Sequence, residues 1–198
     1  MLVVLGLAST LFSKSIGVRK RETSSTDALT AAQAALNVMS REIANSGYGL
    51  KYITATTGDN PSNGIVTTNN DSNANKIHFL SNVENNNSIA TDPGENLTYF
   101  FDATTQSILR YDANANGVNS PETSIIINRI SAVNFQYFDY AGSSSTTTGN
   151  TAPTVNTGRV RITVTVTLED VLGQPANQRV ILRSDVTLRN ANYMLNQY

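Results

Sequence analysis

The residues best spaced for chemistry lie just past the middle of the chain. Asp112-Ala113-Asn114-Ala115-Asn116-Gly117 sets side-chain oxygens at alternate positions and ends in a glycine, which is how a calcium loop opens. The carbonyl of Val118 and the side chain of Ser120 occupy the next ligand positions. Glu122 falls one place before the position where a bidentate carboxylate belongs, and Thr123 stands there instead. Asp112, Asn114, Asn116, Val118, Ser120 and Glu122 are therefore the candidate Ca2+ ligands. With so few carboxylates the affinity would be weak. The same residues also suit a plain Asn/Gly turn, because both types adopt turn conformations readily. No cofactor is required by any other feature.

The remaining side chains argue against catalysis. The single histidine, His78, sits between Ile77 and Phe79 and reads as a partly buried strand residue. There is no cysteine, which excludes disulfides, thiolate metal sites and a cysteine nucleophile. The chain lacks a G-x-S-x-G nucleophile elbow, a glycine-rich phosphate loop and a dinucleotide fingerprint. Its carboxylates show no acid/base spacing. A hydrolase whose carboxylates meet only in space is the remaining enzymatic reading, and the expectation is that the protein is not an enzyme. Net charge is −1 and charged residues make up 15% of the 198, so no nucleic-acid partner is evident.

The element around which the chain is organised is Leu2 to Leu50. Leu2, Val3, Val4, Leu5, Leu7, Ala8, Leu11, Phe12 and Ile16 form an apolar opening, followed by the basic knot Arg19-Lys20-Arg21. Leu29, Ala32, Leu36, Met39 and Ile43 then recur at intervals of three and four, the spacing of one helix face. Gly47 and Gly49 supply helix-terminating punctuation. The spacing predicts one helix of about 40 residues, roughly 60 Å long, apolar in its first half and one-sided in its second. Glu22 to Asp27, rich in Ser and Thr, allows a break near Thr26. The apolar run is short for a bilayer span and reads as the later part of a longer apolar helix beginning upstream. The alternative is a cleaved secretory signal. The basic knot is either a solvated piece of rod or a headgroup contact.

Beyond Leu50 the chain changes character. Residues 54–75 are polar, with Ile65 and Val66 as an apolar pair and a short strand expected within Gly64 to Thr68. Strand patterns follow at Lys76 to Asn82, at Asn96 to Asp102 with Gln106 to Asp112 as a hairpin, and at Ser124 to Ile130 leading directly into Ser131 to Tyr140. Residues 141–157 read as a Ser/Thr/Gly linker. The clearest β signal comes last: Val160, Ile162, Val164, Val166 and Leu168 alternate with polar residues, as do Val180, Leu182, Val186 and Leu188. Gly173-Gln174-Pro175 sits between them, which predicts a long antiparallel hairpin with one wet face. The order gives an α+β fold, a long helix packed on an antiparallel sheet. Residues 1–27 form the protruding half of the helix, and 28–198 the globular domain.

These pieces resemble a known family. Met39-Ser40-Arg41-Glu42-Ile43 through Gly47-Tyr48-Gly49 resembles the helix end of PilW-type minor pilins and, more loosely, of J-type pseudopilins of type II secretion. Leu97 to Phe101 with Ile108-Leu109-Arg110, and Ile130 to Tyr137, resemble the hairpin and strand that follow in that family. Arg159-Val160-Arg161-Ile162 and Val186-Thr187-Leu188-Arg189-Asn190 resemble its closing strands. The resemblance implies a pilin-like fold and a structural role in a pilus or secretion filament. It implies packing of Leu2, Val3, Val4, Leu5, Leu7, Leu11, Phe12 and Ile16 against other pilin-like subunits. It also implies residence in the bacterial inner membrane or periplasm before assembly, and in an extracellular pilus or periplasmic pseudopilus afterwards. The peptidase site and the Glu five residues into the mature helix of type IV pilins are not found ahead of Leu2; on this reading they lie upstream, or the protein lacks them. The rival reading is a secreted or envelope-anchored β domain that binds calcium or a surface ligand.

Overall fold

A computed structural model describes residues 2–51, 63–141, 144–168, 170 and 176–191, with the side chains of all of these but 2–9 and 141. Expectations for the side chains of Leu2, Val3, Val4, Leu5 and Leu7 therefore lie outside the described residues. So do those for residues 52–62 and for the Gly173-Gln174-Pro175 turn.

Leu2–Ala44 is a single α-helix, α1, of 43 residues, about 65 Å at 1.5 Å per residue. The Ser/Thr cluster does not break it. The Thr26 hydroxyl donates to the Glu22 carbonyl and the Thr30 hydroxyl to the Thr26 carbonyl, each at 2.9 Å. Bonding back one turn gives these hydroxyls a partner inside the helix. The last turn tightens through Asn45 N–H to Glu42 O and Ser46 N–H to Ile43 O. Gly47 then turns left-handed at φ 80. The carbonyls left over at this end are met from the far end of the chain: Arg189 N–H donates to Ala44 O at 3.2 Å and the Asn190 amide to Ser46 O at 3.1 Å.

The strands divide between two antiparallel four-stranded sheets, where the sequence suggested one. The first holds β1 (Lys76–Leu80), β2 (Asn96–Asp102), β3 (Ser107–Asp112) and β4 (Glu122–Ile127) in that order. The second has the order β6 (Ser144–Ser145), β5 (Ala132–Ala141), β7 (Thr157–Thr167) and β8 (Arg179–Thr187). The division falls where Ser124 to Tyr140 looked continuous: Arg129 adopts φ 59 between β4 and β5, a left-handed residue that a straight strand does not accommodate. The final hairpin pairs as the alternation predicted, with Val160 opposite Val186 and Val164 opposite Leu182.

The 64–66 segment lies along β1, with Ile65 bridging Phe79 and Val66 N–H donating to His78 O at 2.9 Å. Part of the Ser/Thr/Gly linker is also used structurally. Ser144–Ser145 pairs with Tyr140 and Ala141, and Asn150 exchanges backbone bonds of 2.9 and 2.7 Å with Tyr137. Both satisfy backbone groups along the edge of β5.

One hydrophobic core spans helix and sheets. Ala32, Ala35, Leu36, Met39 and Ile43 pack with Phe79 and Tyr99 of the first sheet, with Phe135, Val160, Ile162 and Val164 of the second and with Leu188 just past β8, all buried. The sheets join at Phe135 N–H to Ala74 O, 2.7 Å. Close backbone approach locks the helix end against β1: Gly47 N–H donates to Leu80 O and Leu80 N–H to Gly64 O, both at 2.8 Å. Buried Asn63 ties the same point to the second sheet by donating to the carbonyls of Thr154 and Thr157. Gly64 has φ +70, and a Cβ there would stand 2.1 Å from the Gly47 nitrogen. Gly64→Ala should therefore lower stability by about 3 kcal/mol or more, the sum of left-handed strain and overpacking. Urea unfolding checks this, and a loss under about 1 kcal/mol, ordinary for a surface change, would contradict the close approach.

Candidate assembly surface

The two halves of α1 have opposite surroundings. From Ala28 on, the stripe is covered by the sheets, fully at Ala32, Leu36, Met39 and Ile43 and only in part at Leu29. Ahead of it the helix projects, with Leu11 67%, Phe12 70%, Ile16 55% and Val18 37% exposed. Of the predicted stem residues with described side chains, then, Leu11, Phe12 and Ile16 all face water. A continuous helix has no hinge with which to fold this stem back onto its own domain. Among the described residues no helix is long and apolar enough to cross a membrane.

The basic knot splits by direction. Arg19 and Lys20 are exposed, whereas the Arg21 guanidinium turns toward the domain and donates to the Gln178 side chain just before β8. Arg21 is thereby 9% exposed, an anchor at the point where stem becomes domain. A cleft of about 680 Å³ opens beside this point, lined by Asp27, Ala28, Gln106, Arg129, Ile130 and Leu168 among others. Its lining holds neither a histidine nor a paired nucleophile and base.

A polar chain orients the covered half. Glu42 lies beside the apolar stripe and reaches the first sheet. It accepts from the Tyr99 hydroxyl and from Arg110 Nε, the latter at 3.2 Å. Arg110 Nη1 stands 3.5 Å from Asp112 Oδ2. Burial, reinforced by the neighbouring Glu42 carboxylate, pushes the Tyr99 hydroxyl far above its ordinary range. For Arg110, burial alone would favour loss of the proton, but Glu42, with Tyr99 and Asp112, holds the guanidinium charged beyond its usual value. Glu42 falls outside the Leu29–Ile43 stripe, and residue order alone gives it no partner. The available signal was a carboxylate adjoining a buried face, which must find a cation or donors.

Of the predicted ligands, Asp112 and Asn114 have their side-chain oxygens engaged internally. Asp112 is 4% exposed; its Oδ2 accepts from Gly94 N–H at 2.7 Å and its Oδ1 from Asn114 N–H at 3.1 Å. The Asn114 side chain accepts from Asn119 N–H and donates to Ala90 O. Asn116 Nδ2 lies 3.5 Å from Glu122 Oε2, and Ser120 N–H donates to Gly117 O. Exposed Val118 completes the turn. This arrangement joins the 113–120 turn to the 90–94 loop, and a cation would have to displace those donors and accept Arg110 as a neighbour. No group of three or more His, Cys, Asp or Glu residues able to hold a metal occurs among the described residues. His78 lies on β1 with Nδ1 3.0 Å from Asp71 and Nε2 2.8 Å from Asn96, partnered within its own strand neighbourhood.

No protein-family model matches the chain, and no curated protein matches it.

Two outcomes follow. Asp112→Asn should cost about 1–3 kcal/mol, the worth of charge-assisted bonds to buried donors. The loss should be equal in chelator and in millimolar calcium; a loss confined to calcium would assign the loop to the metal. The second concerns alkali. Tyr99 and Tyr137 are both buried, and burial raises both hydroxyls. The fold keeps these protons to higher pH than the unfolded chain does, so their contribution is complete below about pH 10 and declines as pH rises beyond it. Urea midpoints at about pH 9 and about pH 11 should differ less in Tyr137→Phe than in the parent.

Proposed function

We propose that this chain is a structural subunit of a pilin-like filament, a minor pilin or pseudopilin of a type IV pilus or a type II secretion-type machine. Its work is assembly rather than catalysis. The single observation that carries the reading is the bare apolar stem, with Leu11, Phe12 and Ile16 more than half exposed, on a helix whose later turns are buried in a β domain. Such a surface is costly in water, at about 1.5–3 kcal/mol for each large apolar side chain. It finds cover in lipid before assembly and among the helices of neighbouring subunits afterwards. Those helices pack by interlocking side-chain ridges. Other pilin-like subunits are the partners, and the inner membrane is the holding site. The resemblance of residues 39–43 and 47–49, 97–101 with 108–110, 130–137, 159–162 and 186–190 to PilW-type minor pilins supports the same class.

Two changes test it. Deleting Met1 to Lys20 should leave a folded, soluble domain that no longer enters membranes or filaments, because the core begins after this segment. In the full chain, Leu11→Asp with Phe12→Asp should lower partition into filaments by at least about a hundredfold, the equivalent of losing two buried apolar side chains. It should leave the unfolding midpoint unchanged. Full co-sedimentation of either variant would remove the proposal.

A further inference from the structure

The cleft of about 680 Å³ beside the stem junction falls within the size range of small-ligand sites. α1 lines it with Ser24, Asp27, Ala28 and Ala31, spaced by three and four and so on one face of the helix. All four side chains are short, which leaves open the volume that longer ones would fill. Ile130, Val166 and Leu168 add an apolar lining. Four polar side chains face the same cleft with no bonding partner among the described residues: Asp27, Gln106, Asn128 and Arg129. Asp27 and Arg129 are both exposed and opposite in charge, yet they do not pair with each other. Two of the four stand on strained backbone. Among the described residues eight non-glycine residues have positive φ, and five are asparagines, which tolerate it. The others are Ser88, Gln106 at φ 51 and Arg129 at φ 59, so two of the three line one cleft. A turn alone would be served better by glycine at either place, and strain of this kind gathers at ligand sites. The wall is fixed by its own bonds. Ile130 N–H donates to Gln106 O at 3.1 Å, and Ser131 donates both its N–H and its hydroxyl to Thr165 O.

We infer that this cleft binds a short peptide with both ends free, a di- or tripeptide carrying an aliphatic side chain. The Arg129 guanidinium takes the carboxylate, for which its planar fork is matched. The Asp27 carboxylate accepts from the terminal ammonium. Gln106 and Asn128 each offer an acceptor oxygen and a donor NH2, the complement of a peptide amide. The apolar lining takes the aliphatic side chain. Charge selects a zwitterion, because a plain anion would face Asp27 and a plain cation would face Arg129. No aromatic ring lines the cleft among the described residues, which leaves a nucleobase without a stacking platform. With the wall already fixed, little ordering cost falls on binding. The site lies in the β domain and along the covered half of α1, goes beyond the assembly reading and does not rest on it.

Calorimetry on the full chain in detergent tests this with the dipeptide alanylleucine, its N-acetyl and C-terminal amide forms, and glycerophosphoethanolamine. The dipeptide should bind saturably, and blocking either end should weaken it by at least about tenfold, the range of a hydrogen bond to a charged group. Arg129→Gly should weaken the dipeptide by a similar factor and erase the difference between dipeptide and amide. Its unfolding midpoint should stay level or rise, because glycine accepts the left-handed backbone. Asp27→Asn should erase the difference between dipeptide and N-acetyl form. Leu11→Asp with Phe12→Asp should bind the dipeptide as the parent does, so that the stem and the cleft are judged separately. A dipeptide that gives no saturable heat at millimolar concentration, or that binds Arg129→Gly and Asp27→Asn as it binds the parent, overturns the proposal. Tighter binding of glycerophosphoethanolamine than of the dipeptide also overturns it and gives the cleft to a lipid headgroup.

Discussion

A helix that is continuous across the boundary between covered and bare is the constraint from which the other features follow. Its later turns are fixed by burial of Ala32, Leu36, Met39 and Ile43. Because α1 runs unbroken from Leu2 to Ala44, fixing those turns fixes the direction of everything ahead of them. The stem cannot choose its surroundings; it extends into whatever lies beyond the domain. The hydroxyls of Thr26 and Thr30, bonded back to the previous turn, keep a sequence that favours caps and turns from supplying a hinge at the worst place.

The anchoring end is built for stiffness of another kind. Gly47 and Gly64 bring two backbones closer than any side chain permits. Arg189 and Asn190 close the helix terminus from the opposite end of the chain. Glu42, Tyr99 and Arg110 then set the rotation of the helix, since the carboxylate meets its donors only when that face turns toward β2 and β3. Apolar burial supplies most of the stabilisation in such a core and is indifferent to small rotations. Directional polar contacts supply the choice among them, and a partly buried carboxylate without its cation would be strongly unfavourable.

Much of this was legible from residue order, for physical reasons that also mark the limits. The 3.6-residue stripe of α1 and the two-residue alternation of β7 and β8 report burial on one face, and burial is local in its signature. The α+β architecture and the bare stem followed from those periods. The split into two sheets did not, because it rests on one left-handed residue, Arg129, at a position with no glycine or proline to announce it. The oxygens at Asp112, Asn114 and Asn116 matched a cation loop in spacing. Spacing is silent about which partners arrive from elsewhere: the loop ahead of β2 brings the Gly94 N–H, which donates to Asp112, and the Ala90 carbonyl, which accepts from Asn114. The partner of Glu42 was hidden for the same reason: sequence shows which groups need satisfying, and topology decides by what.

The central claim is that the stem is bare on its own molecule and covered only by others. A single cysteine in place of Phe12, labelled with a polarity-sensitive fluorophore, reports this in an otherwise cysteine-free chain. In the dispersed chain the probe should emit as in water and react freely with an aqueous quencher. On assembly or on lipid the emission should shift blue and the quenching should fall. A probe already shielded in the dispersed, monomeric chain would mean that the stem is buried by its own domain, and would contradict the account.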